Sequence, residues 1–124
     1  MNRVVLSLGS NSTDCRTQMN NCVEWLKSRM RNLSVSSAYS TPALNGKDND
    51  YLNAVAEGYV ECDFETIKVQ MKDYERSSGR TPESKLMGVV PIDIDIVMWN
   101  DEVVKADDYE QSYFKIGWNE LKSK

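Results

Sequence analysis

The chain has 124 residues, 40% of them hydrophobic and 27% charged, so its length and composition predict a single soluble domain over residues 1–124. It contains no histidine, which excludes Ser-His-Asp and Cys-His catalysis and zinc sites that use histidine. The net charge of −4 argues against broad nucleic-acid binding through phosphate neutralisation. Chemistry is therefore left to carboxylates, a few cations and any metal that the carboxylates hold.

The cysteines and the hydropathy pattern bear on the compartment. Cys15, Cys22 and Cys62 are odd in number and never form a C-x-x-C spacing, which predicts a reducing environment rather than a disulfide framework or a zinc cluster. No apolar run approaches the roughly 20 residues of a membrane span, and the N-terminal apolar stretch is too short for a secretion signal. We therefore expect a cytoplasmic protein with no membrane partner.

The first segment of the chain predicts a strand and then a helix. Residues 3–8 are apolar and β-branched, and the turn cluster at residues 9–12 ends this strand. Thr13 or Asp14 can cap the helix that follows. Apolar residues then recur at the three- and four-residue spacing of one helix face: Cys15, Met19, Cys22, Leu26 and Met30.

Two strands and a second helix are predicted next. Residues 33–40 alternate between apolar and polar, and Thr41-Pro42 ends that strand. Residues 51–61 resume as a strand, and Asp63 is a good N-cap for a helix that ends at Ser77-Ser78-Gly79. The buried stripe of that helix is Phe64, Ile67, Met71 and Tyr74.

The last third predicts a loop over residues 80–90, a strand over 92–99 and a turn at Asn100-Asp101 into a short strand over 102–104. The final twenty residues are acidic and aromatic, and predict either a short helix or an edge strand. The element order is β-α-β-β-α-β, which is typical of α+β proteins with a ferredoxin-like fold. In that fold two helices cover one face of an antiparallel sheet.

The sharpest local pattern is Ile92-Asp93-Ile94-Asp95-Ile96. Because strand residues alternate faces, the three isoleucines are expected in the core and both aspartates on the opposite face, with Cα atoms about 6.6 Å apart. Two such carboxylates suit Mg²⁺ that also recruits phosphate oxygens. The alternative is a half-exposed strand with an acidic outer face, although aspartate is depleted in strands.

Two weaker features could contribute to a ligand site. The segment 7–11 places a glycine and an asparagine at the end of a strand, where backbone can approach a ligand, or where an ordinary turn leads into a helix. Residues 41–44, with 51–53 after a polar loop, combine a rigid proline turn with an aromatic ring and an amide. They could form a slot for a heteroaromatic ring, or simply a packed aromatic beside a solvent-facing asparagine.

Taken together, five segments in order resemble the 6-hydroxymethyl-7,8-dihydropterin pyrophosphokinase family of folate biosynthesis. The resemblance covers about residues 3–105 and lies in these pieces: Leu6–Asn11, Ser36–Pro42, Asp50–Val55, Glu75 with Gly79-Arg80, and Pro91–Ile96. It implies a Mg²⁺-dependent transferase that moves the pyrophosphoryl group of ATP to the hydroxymethyl group of the pterin and releases AMP. The implied partners are these two small molecules.

The resemblance also implies roles for individual residues. Asp93 and Asp95 would bind two Mg²⁺ ions that bridge the ATP phosphates and the pterin hydroxymethyl oxygen, and Arg80 would join them as a catalytic residue that contacts ATP phosphates. The pterin-binding residues would be Thr41, Pro42, Leu44, Tyr51 and Asn53. The residues on the nucleotide side would be Glu75, Arg80, Ile96 and Lys85.

The chain departs from the family pattern between Arg80 and Asp93, where the family has further arginines and a tryptophan. Pro82, Met87 and Val90 occupy three of those positions, and the family's histidine after the last strand is absent. Three hypotheses follow. The chain is a working enzyme that uses other cations, such as Lys85, Lys105 or Lys115; or it is a catalytically impaired relative that binds a pterin or a metal; or it is an interaction domain whose aspartates are only structural.

Overall fold

The computed structural model describes residues 1–124, which form an open antiparallel sheet of six strands with five helices packed on it. The strands are β1 Asn2–Ser10, β2 Arg31–Val35, β3 Tyr39–Thr41, β4 Tyr51–Val60, β5 Asp93–Trp99 and β6 Glu102–Val103. The helices are α1 Cys15–Arg29, α2 Phe64–Ser77, α3 Pro82–Leu86, α4 Ala106–Glu110 and α5 Ser112–Lys122. None of these helices has the length and apolar character needed to cross a membrane.

The strand order β2-β4-β1-β5-β6, with β3 also paired to β4, confirms the α+β, ferredoxin-like fold predicted from the element order. β1 lies in the middle and pairs antiparallel with both β4 and β5. Helices α1 and α2 cover one face, where they bury the apolar stripes that their spacing predicted. The Asp63 side chain accepts the Thr66 backbone N–H at 2.8 Å, so the predicted N-cap of α2 is confirmed.

The second face of the sheet is divided along the strands. At one end, α5 covers a small apolar cluster made of Val5, Val55, Val97, Phe114 and Trp118. Toward the other end the same strands carry polar residues on this face, among them Ser7, Asn53 and Asp95. This face therefore consists of a dry half under α5 and an open, polar half.

The predicted strand over residues 33–40 is wrong in its middle, since β2 and β3 are separate strands. Val35 pairs with Ala56 and Tyr39 pairs with Asn53, so three residues of the first segment oppose only two of β4. The extra residue interrupts the ladder as a bulge does. Ser36 replaces part of the lost pairing, because its Oγ accepts the Val55 N–H at 2.9 Å.

Two other regions also differ from the prediction. Residues 82–86 of the predicted loop form α3, which Thr81 caps by accepting the Ser84 N–H while the Ser84 hydroxyl accepts the Thr81 N–H. Proline at the first helical position suits such a start. The acidic tail forms two helices, α4 and α5, rather than one short helix or an edge strand.

We expect Gly117→Ala to destabilise the protein, because this glycine of α5 lies directly against side chains of the sheet. A Cβ atom there would lie 2.7 Å from Val55 Cγ2 and 2.8 Å from Ser36 Oγ. It would also lie 2.9 Å from the hydroxyl of Tyr39, which accepts the Gly117 N–H. Overpacking of this kind costs about 1–3 kcal/mol, and the higher helix propensity of alanine offsets about 1 kcal/mol at most.

The measurement is urea unfolding of Gly117→Ala beside Asn119→Ala, an exposed position on the same helix. A clear fall in unfolding free energy for the glycine variant alone is the expected result. Equal stability of the two variants would show that α5 can move away from β4 without loss.

Candidate active site

The polar half of the second face brings β1, β4 and β5 together. Ser7 of β1 pairs with Asp95 of β5, and Gly9 pairs with Asp93 on one side and Asn53 on the other. Both aspartates lie on the opposite face from Ile92, Ile94 and Ile96, which are buried in the core as their alternation predicted.

A cavity of about 320 Å³ opens over this polar half, and we call it the first cavity. All five residues predicted from the resemblance to contact the pterin line it: Thr41, Pro42, Leu44, Tyr51 and Asn53. Asp93 and Asp95 line it as well. Three segments separated in sequence thus meet around one space: the end of β1, the turn after β3 with the start of β4, and β5.

Asn53 has a fixed orientation in this cavity. Its Nδ2 donates to Thr41 Oγ1 at 2.7 Å and to the backbone oxygens of Tyr51 at 3.2 Å and Tyr39 at 3.4 Å. Its Oδ1 accepts no hydrogen bond within the protein, although the residue is buried. This leaves one carbonyl-type acceptor for an N–H donor of a ligand.

The two aspartates are held by different cations. Arg80 Nη1 lies 2.7 Å from Asp93 Oδ1, and Lys105 Nζ lies 2.9 Å from Asp95 Oδ1. Burial, together with the neighbouring carboxylate of Asp93, raises the pKa of Asp95 from 3.8 to about 6, against the opposing effect of Lys105. At neutral pH the Asp95 carboxyl group is therefore still ionised, but at a cost in free energy.

This donor set fits Mg²⁺ that arrives with a polyphosphate. Mg²⁺ is usually held by one or two carboxylates together with waters and phosphate oxygens, rather than by a cage of protein ligands. Asp93 and Asp95 supply two carboxylates on adjacent outward positions of one strand. The remaining ligands of an ion held there would be phosphate oxygens and water.

Glu75, which the resemblance placed on the nucleotide side, does not line the first cavity. It is 3% exposed, and its Oε2 accepts the backbone N–H of Ile94 at 2.7 Å. Its Oε1 lies 3.2 Å from Arg80 Nη1 and 3.3 Å from Lys72 Nζ. Glu75 therefore fixes both the backbone between the two aspartates and the arginine that contacts Asp93.

A second cavity of about 290 Å³ lies on the other side of Asp95, between α2 and the segment after β6. Its apolar wall includes Phe64, Met71, Ile94, Ile96 and Val104, and its basic residues are Lys68, Lys72 and Lys105. Ile96, which the resemblance assigned to the nucleotide side, is part of this wall. Asp95 lines both cavities, so the two spaces meet at this carboxylate.

Glu75 and Arg80 line neither cavity, but Arg80 forms ion pairs with both Glu75 and Asp93. The predicted site residue Lys85, by contrast, forms no ion pair with the other site residues. It lies on α3 and lines neither cavity.

Sequence reasoning missed Asp108 and Tyr113 at the first cavity, which α4 and α5 bring there from the tail. The Tyr113 hydroxyl donates to Asp108 Oδ1, and Asp108 Oδ2 is buried without a hydrogen bond.

Asn11 anchors the chain that leads into β5. Its Nδ2 donates to the backbone oxygen of Gly88 at 2.8 Å, and its Oδ1 accepts the Val90 N–H at 2.6 Å. Because Asn11 is 2% exposed, both bonds are shielded from water. The glycine-asparagine segment after β1 thus positions the segment before Asp93.

A comparison with known families agrees with this geometry. The model of the family described as 7,8-dihydro-6-hydroxymethylpterin-pyrophosphokinase matches residues 5–123. Enzymes of that family transfer pyrophosphate from ATP, used with Mg²⁺, to hydroxymethyldihydropterin in folate synthesis. Because the match spans nearly the whole chain and the fold agrees, the chain belongs to this pyrophosphokinase family.

Proposed function

We propose that this chain catalyses the family reaction with Mg²⁺, binding the pterin in the first cavity and ATP in the second. The observation that carries the proposal is the position of Asp95, which lines both cavities. A group transferred between two bound substrates must pass where their sites meet. The carboxylates that suit Mg²⁺ lie at that place.

Pterin binding is supported by the shape and the polar groups of the first cavity. Tyr51 and Pro42 offer flat apolar surfaces, and the Oδ1 of Asn53 is free to accept an N–H donor from the edge of a pterin ring. Since Nδ2 of the same amide is fully engaged, a ring edge that offers only acceptors would meet no matching group there.

The chemistry proposed is an in-line displacement at the β-phosphorus of ATP. The hydroxymethyl oxygen forms the new P–O bond, the bond between the β-phosphorus and the α,β-bridging oxygen breaks, AMP leaves and the hydroxyl proton is released. Asp93 and Asp95 would hold Mg²⁺, which supplies charge to offset that of the phosphate oxygens. The chain itself contributes position and fixed charge, the main requirements of phosphoryl transfer.

The test is release of AMP by purified, folded protein given Mg²⁺, ATP and 6-hydroxymethyl-7,8-dihydropterin, beside an ordinary member of the family. We expect AMP formation that depends on the pterin. Asp95→Asn should lower the rate by about 10²–10³-fold, the scale at which preorganised charge acts in such sites. Asp73→Asn, an exposed aspartate of α2, is the matched control and should keep the rate.

A second function, a pterin- or metal-binding protein with impaired catalysis, is favoured by one observation. The lining of the first cavity contains four aspartates and no lysine or arginine: Asp48, Asp93, Asp95 and Asp108. Absence of AMP with an active family member alongside, together with binding of the pterin, would support this function. Absence of any thermal shift with Mg²⁺ as well would favour a purely structural role of the aspartates.

A further inference from the structure

The loop after Arg80 lacks the arginines of the family pattern, but three lysine side chains line the second cavity. Lys68 and Lys72 lie four residues apart on α2 and thus on one helix face, while Lys105 follows β6. The three lysines line a space whose other wall is apolar. An elongated ligand with one flat apolar part and several negative charges fits that distribution.

Two of these ammonium groups flank the same carboxylate oxygen. Lys105 Nζ lies 2.9 Å from Asp95 Oδ1, and Lys72 Nζ lies 4.0 Å from it. Both lysine side chains are about half exposed toward the cavity, and each ammonium carries three N–H donors. They can therefore contact phosphate oxygens next to Asp95 without a rearrangement of the backbone.

The other basic residues near the sequence motifs are placed differently. Arg80 is engaged by Asp93 and Glu75, and it lines neither cavity. Lys115 lies over the ring of Tyr109, 3.4 Å from its centroid, and Lys85 lies on α3. None of these three lines the second cavity.

We propose that Lys72 and Lys105 bind the phosphate oxygens of ATP in the second cavity, in place of the loop arginines that this chain lacks. The inference rests on the proposed function, because it assigns the nucleotide to that cavity. Lys105 Nζ also lies 3.4 Å from Asp108 Oδ2, so in the free protein this lysine lies between two carboxylates.

Charge explains why the lysines are available to a ligand. In the free protein they offset carboxylates: Lys105 contacts Asp95, and Lys72 lies beside Glu75. The ions that accompany ATP would offset the charges of Asp93 and Asp95. The two lysines would then interact more favourably with phosphate oxygens than with these carboxylates. Lysine suits such a change of partner, since its ammonium is a compact charge on a flexible stem.

The experiment is calorimetric titration of ATP, and separately of AMP, into the folded protein with Mg²⁺ and no pterin. We expect Lys72→Met and Lys105→Met each to weaken ATP binding about tenfold or more, the usual value of a charge-assisted contact. AMP lacks the β- and γ-phosphates, so its binding should change much less. Lys105→Arg should keep most of the affinity for ATP, and Lys27→Met, on the exposed side of α1, should keep all of it.

The outcomes separate the two proposals. If the wild type binds no ATP, the proposed function fails. If the wild type binds ATP and both methionine variants bind it equally well, the lysine assignment is overturned while the function stands. A loss in Lys85→Met without a loss in the other two would place the phosphate contact on α3 and also overturn it. Should Lys105→Met fail to fold, Lys72→Met tests the cavity from a different element.

Discussion

Replacing Asp95 by asparagine is expected to stabilise the ligand-free protein by about 1–3 kcal/mol at pH 7, while removing its response to Mg²⁺. The pKa of Asp95 is raised from 3.8 to about 6, first by burial and then by Asp93. Because the pKa of this carboxyl group is higher in the folded state, its ionisation at pH 7 lowers the free energy of unfolding. Two pKa units correspond to about 3 kcal/mol, and this net value already includes the favourable contact of the carboxylate with Lys105.

The direction in which stability changes with pH follows from the difference between the pKa of Asp95 in the folded protein and in the unfolded chain. Between pH 3.8 and about 6 the folded protein binds the Asp95 proton more tightly than the unfolded chain does. The contribution of this group to stability therefore falls as the pH rises through that interval, and stays low above it. Asparagine removes this dependence, so the gain from Asp95→Asn should be small near pH 4 and should reach its full value above about pH 7.

Urea unfolding with EDTA at several pH values measures this gain, and thermal melting with and without Mg²⁺ measures the response to metal. Asp73→Asn controls for the removal of one negative charge from the protein, because its side chain is exposed. A variant that is less stable than wild type at pH 7 would show that the Lys105–Asp95 pair stabilises the fold more than burial of the charge costs.

Apart from the break between β2 and β3, the strands and the two long helices were predictable because their patterns are local. In β5, apolar and acidic residues alternate over five positions. This pattern alone predicted that the isoleucines are buried and that Asp93 and Asp95 lie on the opposite face. Helices α1 and α2 bury stripes visible at three- and four-residue spacing. Register within the sheet then brought together the end of β1 and the start of β5, which no local pattern reveals.

Other parts of the site depend on tertiary contacts. Lys68 and Lys72 belong to the polar side of α2 in the sequence, and only the position of β5 beside that helix makes them part of a cavity. Asp108 and Tyr113 reach the first cavity because α5 packs through Phe114 and Trp118 on the second face. The four-residue spacing of this aromatic pair was the available signal for α5. Thr81 followed by Pro82 was the signal for α3.

Removing the Glu75 side chain is expected to destabilise the protein by about 3 kcal/mol, within the range found when one partner of a buried charged network is lost. Glu75→Ala would leave the Ile94 N–H without an acceptor in the core and Arg80 without its second carboxylate. The loss is placed at the lower end of that range, because Arg80 and Lys72 are partly exposed and water can screen them.

Glu75→Gln separates hydrogen bonding from charge. The amide oxygen can still accept the Ile94 N–H, so we expect this variant to lose only about 1 kcal/mol. Amide hydrogen exchange at Ile94 should accelerate strongly in Glu75→Ala and little in Glu75→Gln, since only alanine removes the acceptor. Glu24→Ala on the exposed side of α1 should change stability by less than about 0.5 kcal/mol and leave the exchange of Ile94 unaltered.

The pattern of these two variants tests what Glu75 does for the site. If Glu75 positions the strand between Asp93 and Asp95, the pterin-dependent release of AMP should fall with the loss of the Ile94 hydrogen bond and survive the loss of charge. If instead Glu75→Gln is as inactive as Glu75→Ala, and both variants bind ATP more weakly, the carboxylate itself acts on the nucleotide side. The burial of Glu75 and its 2.7 Å bond to Ile94 favour the first result.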